Sequence, residues 1–479
     1  MFTISEIADK AFNNACKVLN LKKNLTITSV DHDSRRIKKN GLYVAIKGAN
    51  QDGHKFILDA VRAGAIACIV EDPNPKLDVP QIIVSDSVHF YGELANYWRK
   101  KITCPVIAIT GSNGKTTVKE MILKVLSAEK KVAATKGNFN NLIGLPYTIL
   151  SFPLDIDAAV LEMGMNDLGE IYRLSQISEP DIAVITNIGK AHIGYLGSIE
   201  AIFKAKLELF NYVLENKREE AVFILNASDP MLKNWVDRDK VRHSISFSCN
   251  RNIPADVKLL GSETSSENSS QNNSSSTGDA SNTFSLVVDD RETISGTSNL
   301  KGEHNLCNIC CAVAVGLAIG IKASDAVSRL ENIELPEMRS NLVDKAGIRY
   351  FMDCYNANPD SMLASMKTVV EIKPAKRYIA VVGDMLELGD FANGLHYEAG
   401  KQLALNGYDH VFAMGYYAKD YIDGFLKNRT NAVLNDNAVS YSADEHERLK
   451  KDLKSFLKEG DVVLIKASRG VRLELVLDL

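Results

Sequence analysis

The stretch that most restricts this chain is ITGSNGKTTVKEM, Ile109 to Met121. The apolar run CPVIAIT precedes it, and a helical pattern follows. Val118, Met121, Ile122, Val125 and Leu126 fall at the i, i+3, i+4, i+7 spacing of a buried stripe. A strand that turns through glycines into a helix holds an anion well. Glycines let the backbone wrap closely, so several N–H groups point at one group, and the helix N-terminus adds its positive dipole end. Gly111, Ser112, Asn113, Gly114, Lys115, Thr116 and Thr117 are therefore candidate nucleotide-binding residues. Lys115 is expected to reach the terminal phosphates and the Thr116 hydroxyl to ligate Mg²⁺.

The spacing departs from the usual phosphate loop, where four residues separate the first glycine from Gly-Lys. Here only Ser112 and Asn113 intervene, and no NKxD guanine-reading motif occurs. Both observations disfavour a standard GTPase or kinase.

At 479 residues the chain is too long for one core. The region from about 101 to 338 continues the opening pattern with AAVLEMG, DIAVITNIG and AVFILNASD, which read as parallel strands buried on both faces. A further region, 339–479, repeats it with RYIAVVGDM, HVFAMG and DVVLIKASRG. Residues 1–100 form a smaller mixed unit with GLYVAIKG as a strand and FILDAVRAGAIACIVED as a helix entering a strand. The expected class is α/β, in three domains: an N-terminal domain, a central parallel-sheet domain of phosphate-loop type and a Rossmann-like C-terminal domain. Ser262 to Asn282 (SETSSENSSQNNSSSTGDASN) has no apolar residue larger than alanine and is expected to be a disordered surface insertion between strands.

Net charge is −4 with no long basic tract, which argues against a nucleic-acid partner. The N-terminus lacks the basic start and apolar core of a signal peptide. The most apolar stretch, CNICCAVAVGLAIGI, is shorter than the ~20 residues needed to span a bilayer and reads as a buried helix. Among eight cysteines only Cys307, Cys310 and Cys311 cluster, and they read as small core-facing helix residues. A reduced cytoplasmic protein is expected.

Glu162 ends one strand, and His192 follows the next strand end at Asn187. Ligands of open parallel sheets collect at the carboxyl ends of strands, so both residues are expected to share a cleft with Thr116 and to help place Mg²⁺ beside ATP. IEAIFKAKLELF reads as a helix burying Ile202, Leu209 and Phe210. Lys204 and Lys206 point in different directions, and the pattern alone favours solvated lysines.

Together these motifs resemble the ATP-dependent Mur ligases of peptidoglycan synthesis. TGSNGKTT, GNFNNLIGLP, LEMGMNDLGEI, TNIGKAHIGYLGS, GEHNLCN, MRSN, DCYNANPDSM and GDMLELG follow in that family's order. Within it, DCYNANPDSM, GDMLELG and the DSR…GLYVAIKG…DGHKF opening look most like the member that adds D-alanyl-D-alanine. The DNPR signature of the sibling that adds the third amino acid is absent. The resemblance implies that the first domain grips UDP-MurNAc-tripeptide, the second holds ATP and Mg²⁺, and the third closes over both. It places Ser34 and Arg35 at the nucleotide-sugar site, with Asn140 and Asn141 nearby. Lys115, His192 and Lys206 become the expected catalytic residues, and Thr116, Glu162, His192 and Lys206 surround the metal. Lys206 matches a lysine that is carbamylated in several relatives, against the pattern-only reading. Asn305, Arg339, Asp353, Asn356 and Asn358 match ATP-side contacts. Lys466, Ser468 and Arg469 match the D-Ala-D-Ala side, with Ala467 where the family has glycine. A monomer is expected.

Overall fold

The computed structural model describes residues 2–8, 17–48, 51–217, 219–235, 241–264, 282–429 and 437–477. Three α/β domains follow one another along the chain, each built on its own sheet. In the first, Ser29–Asp31, Gly41–Val44, Ala65–Val70 and Gln81–Ile83 run parallel, and Lys17–Leu19 joins antiparallel at one edge. Gly41–Val44 is buried throughout, as a parallel strand covered on both faces must be.

The central sheet has nine strands among the described residues. Val132–Ala134, Ala158–Glu162, Val106–Thr110, Ile182–Ile185, Val222–Asn226, His243–Ser248 and Val257–Thr264 lie side by side and parallel. Asn282–Val288 and Glu292–Ser298 complete it antiparallel. Val106–Thr110 alternates between two cores: Val106 and Ala108 join one cluster, Ile107 and Ile109 the other. This strand is also where the chain order reverses. It leaves toward the Val132–Ala134 edge and returns across itself to Ile182–Ile185. An open α/β sheet has its binding crevice at such a point.

The helix Glu303–Ala318 covers the second core, with Cys310, Cys311, Ala312 and Ala314 buried, as the apolar stretch predicts. No helix among the described residues is long and apolar enough to cross a membrane.

The third sheet runs Asn341–Lys345, Ile348–Met352, Asp461–Lys466, Arg377–Gly383, His410–Met414 and Ala438–Tyr441, all parallel except the first. One buried cluster runs through all three domains, from Leu42 and Ile69 through Leu161 and Phe210 to Val382 and Leu464.

Two sequence expectations change. The ends of the Ser/Asn-rich segment are strand, with Thr264 opposite Asn282 in an antiparallel pair; residues 265–281 lie outside the described ones. Lys206 is not solvated. It lies 1% exposed on the helix Ile199–Asn216, whereas Lys204 is exposed. Position 206 falls one turn after Ile202 and one turn before Leu209 and Phe210, so helical geometry carries it inward with them.

Candidate functional site

The phosphate loop hangs from Val106–Thr110 and leads into the helix Lys115–Ser127. Gly111 has φ 148°, and a Cβ there would meet Thr186 Oγ1 at 1.9 Å, so no other residue fits. Gly114, at φ 79°, opens the helix, and no side chain caps its N-terminus. The loop is clamped from the neighbouring strand end. Ser112 N donates to Asn187 O (2.9 Å), Asn113 N to Asn187 Oδ1 (2.9 Å) and Thr186 Oγ1 to Asn113 O (2.6 Å).

Lys115 folds back over the loop, its Nζ donating to Gly111 O at 2.7 Å. Burial pushes its pKa down, against the upward pull of Glu162. Thr116 Oγ1 donates to Glu162 Oε2 (2.9 Å), and Asn140 Nδ2 donates to Glu162 Oε1 (2.8 Å). Glu162 is thus a 3% exposed carboxylate with a partner on each oxygen. Asn141 is engaged locally, its Oδ1 accepting from Gly144 N at 2.8 Å. Burial pushes Lys206 well below its ordinary pKa, and Lys115 adds to the shift.

The third domain presses on this rim. Asn358 Nδ2 donates to Asn113 Oδ1 (2.7 Å), Lys190 N to Asp360 Oδ2 (2.6 Å) and Gly194 N to Glu387 O (2.9 Å). His192 Nδ1 lies 2.7 Å from Glu387 Oε2, and Glu387 is held below the ordinary carboxylate pKa chiefly by that imidazole. At the end of the third sheet, Lys466, 1% exposed, pairs with Asp353 (2.5 Å) and donates to Asn356 O (3.2 Å). Ser365 Oγ also donates to Asp353, at 2.6 Å. The Arg339 guanidinium stacks 4.0 Å over the Tyr355 ring. Ser468 Oγ accepts from Leu386 N (2.9 Å), and Arg469 pairs with Glu474 (2.6 Å).

A cavity of about 1330 Å³ opens between the two domains. The residues from Ser112 to Thr117, Asn140, Asn141, Glu162, His192, Asn305, Arg339, Asp353, Asn356, Asn358, Lys466, Ser468 and Arg469 all line it. Lys206 is buried and is not part of the lining. Ser34 and Arg35 are not part of the lining either: they form a turn of the first domain, Ser34–Arg36, whose Arg35 side chain is 86% exposed and pairs with Asp33. The neighbouring Arg36 instead pairs with Asp31 (2.9 Å) and stacks 4.6 Å over Tyr147 of the central domain.

Asp360, Glu387, Asn187 and Asn308 belong to the rim and were not singled out as site residues by motif reasoning. Asp360 and Glu387 do sit inside DCYNANPDSM and GDMLELG, but their partners are remote in sequence.

A backbone anion cradle with its lysine, a hydroxyl and carboxylate beside it, and a second α/β domain closing overhead define a nucleotide-dependent enzyme in which two substrates meet between domains. Family comparisons sharpen this. Residues 26–99 match the Mur ligase family catalytic domain, 109–316 the Mur ligase middle domain and 338–469 the Mur ligase glutamate ligase domain. The UDP-N-acetylmuramoyl-tripeptide--D-alanyl-D-alanine ligase of Bacillus subtilis is 36% identical over 94% of this chain and 92% of its own length. A crystal structure of MurF from Acinetobacter baumannii superposes with a TM-score of 0.81 at 30% identity, covering 95% of this chain and 93% of that one. The MurF ligase of Thermotoga maritima in complex with ADP gives 0.78 at 29% identity, covering 94% and 96%. The chain belongs to the Mur ligase family.

Proposed function

We propose that this protein is an ATP-dependent ligase that joins D-alanyl-D-alanine to UDP-MurNAc-tripeptide, giving the pentapeptide, ADP and phosphate in peptidoglycan precursor synthesis. The observation that carries the reading is the clamped Gly111–Thr117 loop with Glu162 beside it, roofed by Asn358, Asp360 and Glu387 of the third domain. The names of the relatives, matched over almost the whole chain, supply the substrates. On this reading the domains are 1–100, 101–338 and 339–479. ATP and a UDP-linked substrate suit a cytoplasmic enzyme, and a monomer is the working form.

A carboxylate resists attack by an amine because its oxygen leaves poorly. Transfer of the γ-phosphoryl group removes that obstacle. The tripeptide's terminal carboxylate oxygen bonds to the γ-phosphorus, the bond to ADP breaks, and an acyl phosphate results. The neutral amine of D-Ala-D-Ala then attacks the acyl carbon, phosphate leaves, and the amine loses a proton. The loop N–H groups and Lys115 hold the phosphates and offset the repulsion of two anions approaching each other. Asn305 lies at the base end of the nucleotide, and Arg339 and Asp353 on its ribose and phosphate side. Lys466, Ser468 and Arg469 face the incoming dipeptide. Closure of the third domain keeps water from the acyl phosphate.

Thr116 Oγ1 and the Glu162 carboxylate are adjacent hard oxygen donors, a set that fits Mg²⁺. Among the described residues no three His, Cys, Asp or Glu side chains gather closely enough to hold a metal by themselves. When bound, Mg²⁺ neutralises phosphate charge and aligns in-line transfer. His192, here against Glu387, and Lys206, if carbamylated, would complete the surroundings of the ion. The buried Lys206 amine is pushed toward its neutral, nucleophilic form, which is the form that adds carbon dioxide to become a carbamate.

Phosphate release with ATP, Mg²⁺, UDP-MurNAc-tripeptide and D-Ala-D-Ala, omitting one component at a time, tests the proposal. Release should need both the UDP-tripeptide and the dipeptide, with a pentapeptide product by mass. Release that persists without the dipeptide, or with a single amino acid in its place, removes the assignment within the family.

A further inference from the structure

The third domain reaches the central one through a short arm, Asp384 to Gly389, that leaves the strand Arg377–Gly383. Its tip meets the turn that follows Ala191. Glu387 Oε2 lies 2.7 Å from His192 Nδ1, and Glu387 O accepts from Gly194 N at 2.9 Å. Both partners have left-handed backbones, Glu387 at φ 65° and His192 at φ 62°. Such conformations are uncommon in residues other than glycine and persist where the surroundings impose them. On the arm, hydrogen bonds within the third domain do so. Ser468 N donates to Asp384 O (3.0 Å), Leu386 N donates to Ser468 Oγ (2.9 Å), and between them Met385 N donates to His396 Nε2 (2.9 Å). Leu386 and Glu387 line the large cavity, whereas Met385 and His396 are buried outside it.

We propose that His396 is a positioning residue for the ligase reaction: through Met385 it holds the arm in the shape that carries Glu387 to His192 and seats the third domain over the phosphate loop. The ring, on the helix Ala392–Leu405, is fixed for this one role. Its Nδ1 lies 2.6 Å from Ala392 O, which can only accept, so Nδ1 carries the proton. Nε2 is then bare, and it is the acceptor that the Met385 N–H needs. Tyr417 stacks on the ring with centroids 4.5 Å apart and planes 22° apart, and Tyr421 meets it edge-on at 5.0 Å. Burial holds the imidazole below its ordinary pKa, against the upward pull of the Ala392 carbonyl, Asp384 and Asp420, so the ring is neutral at neutral pH. A buried N–H stripped of its acceptor is costly, so loss of Nε2 releases Met385 and, two residues on, Glu387. The proposal rests on the ligase reading for its kinetic readout.

The test separates the two ring nitrogens. In H396Q the side-chain oxygen can take the place of Nε2, whereas in H396N the shorter amide can replace only Nδ1. H396N should lower kcat about tenfold with KM for ATP unchanged, and H396Q should bring kcat back to within about threefold of the parent. H396N should also scatter as a more extended molecule. Equal losses in the two variants, or a change confined to KM, overturn the proposal, because a histidine that only fills space would behave that way. Nitrogen NMR of the unaltered protein labelled at histidine, with the His396 signal assigned by its absence from H396Q, reads the tautomer at neutral pH. A neutral Nδ1–H ring is expected. An Nε2–H ring or a charged one would set the Met385 N–H against another donor and overturns the proposal even where H396N fails to fold. A parent protein without ligase activity counts against the ligase reading alone, since the tautomer and the scattering still decide the role of His396.

Discussion

The phosphate loop and the Ser34–Arg36 turn are both short and polar, but only the loop lines the large cavity, and the two are held in opposite ways. In the loop, the Ser112, Asn113 and Thr116 atoms that could meet solvent are engaged by Asn187, Thr186 and Glu162. The turn satisfies itself. Asp33 accepts from Arg35 N and from its guanidinium, and Arg35 otherwise faces water. The loop is tied to the neighbouring strand ends by hydrogen bonds, which suits a centre where charge develops in the transition state.

The contrast is open to direct attack. Lys115→Ala should lower kcat by about a thousandfold while leaving the melting temperature close to that of the parent; a fall below tenfold in single-turnover assays removes Lys115 from the chemistry. Glu162→Ala should cost about a hundredfold in kcat and, because Thr116 and Asn140 lose a buried partner, about 1–3 kcal/mol in stability by urea unfolding. Asp360→Ala, which deletes the acceptor for Lys190 N across the domain boundary, should lower kcat by about tenfold with stability unchanged. Its scattering profile should show a more extended molecule.

Arg35→Ala should raise KM for the UDP-linked substrate severalfold and leave both kcat and folding alone. Arg36→Ala should do the reverse and lower the melting temperature, because Arg36 ties the first domain to Tyr147. If the two arginines exchange these phenotypes, Arg36 is the substrate contact. The smallest effect is on titration. Arg35 holds the Asp33 carboxyl down to about 2. A depressed carboxylate stabilises its turn at all pH above its unfolded value near 3.8 and loses that contribution as pH falls toward 2. Carboxyl NMR should show the low midpoint, and Arg35→Ala should return it toward the ordinary value.

Much of this was legible beforehand. The strand–loop–helix unit, the parallel sheets and the approach of Glu162 to Thr116 follow from periodicity, glycine placement and strand ends, whereas Asn358 and Lys466 were reached only through the resemblance of their motifs to the Mur ligases. Lys206 shows where residue type misleads. A lysine reads as solvated, yet its register repeats that of Ile202, Leu209 and Val213, and that register was the better guide. Asp360 and Glu387 were hidden for another reason. Their partners are Lys190 and His192, and no local pattern encodes a contact that exists only once two domains meet. Arg35 and Arg36 are adjacent and chemically alike, so sequence offered no means of telling the exposed one from the anchored one.

The meeting of the second and third domains also has a seam. A Cβ on Gly194 would lie 2.4 Å from Gly389 N, so here two main chains touch with no side chain between them. A methyl group at Gly194 would therefore act as a doorstop. It is far smaller than any inhibitor and lies outside the phosphate cradle, yet it would hold the two halves ajar. A chain carrying it would offer a way to capture the loaded but unreacted enzyme for crystallography or for screening compounds against its open form.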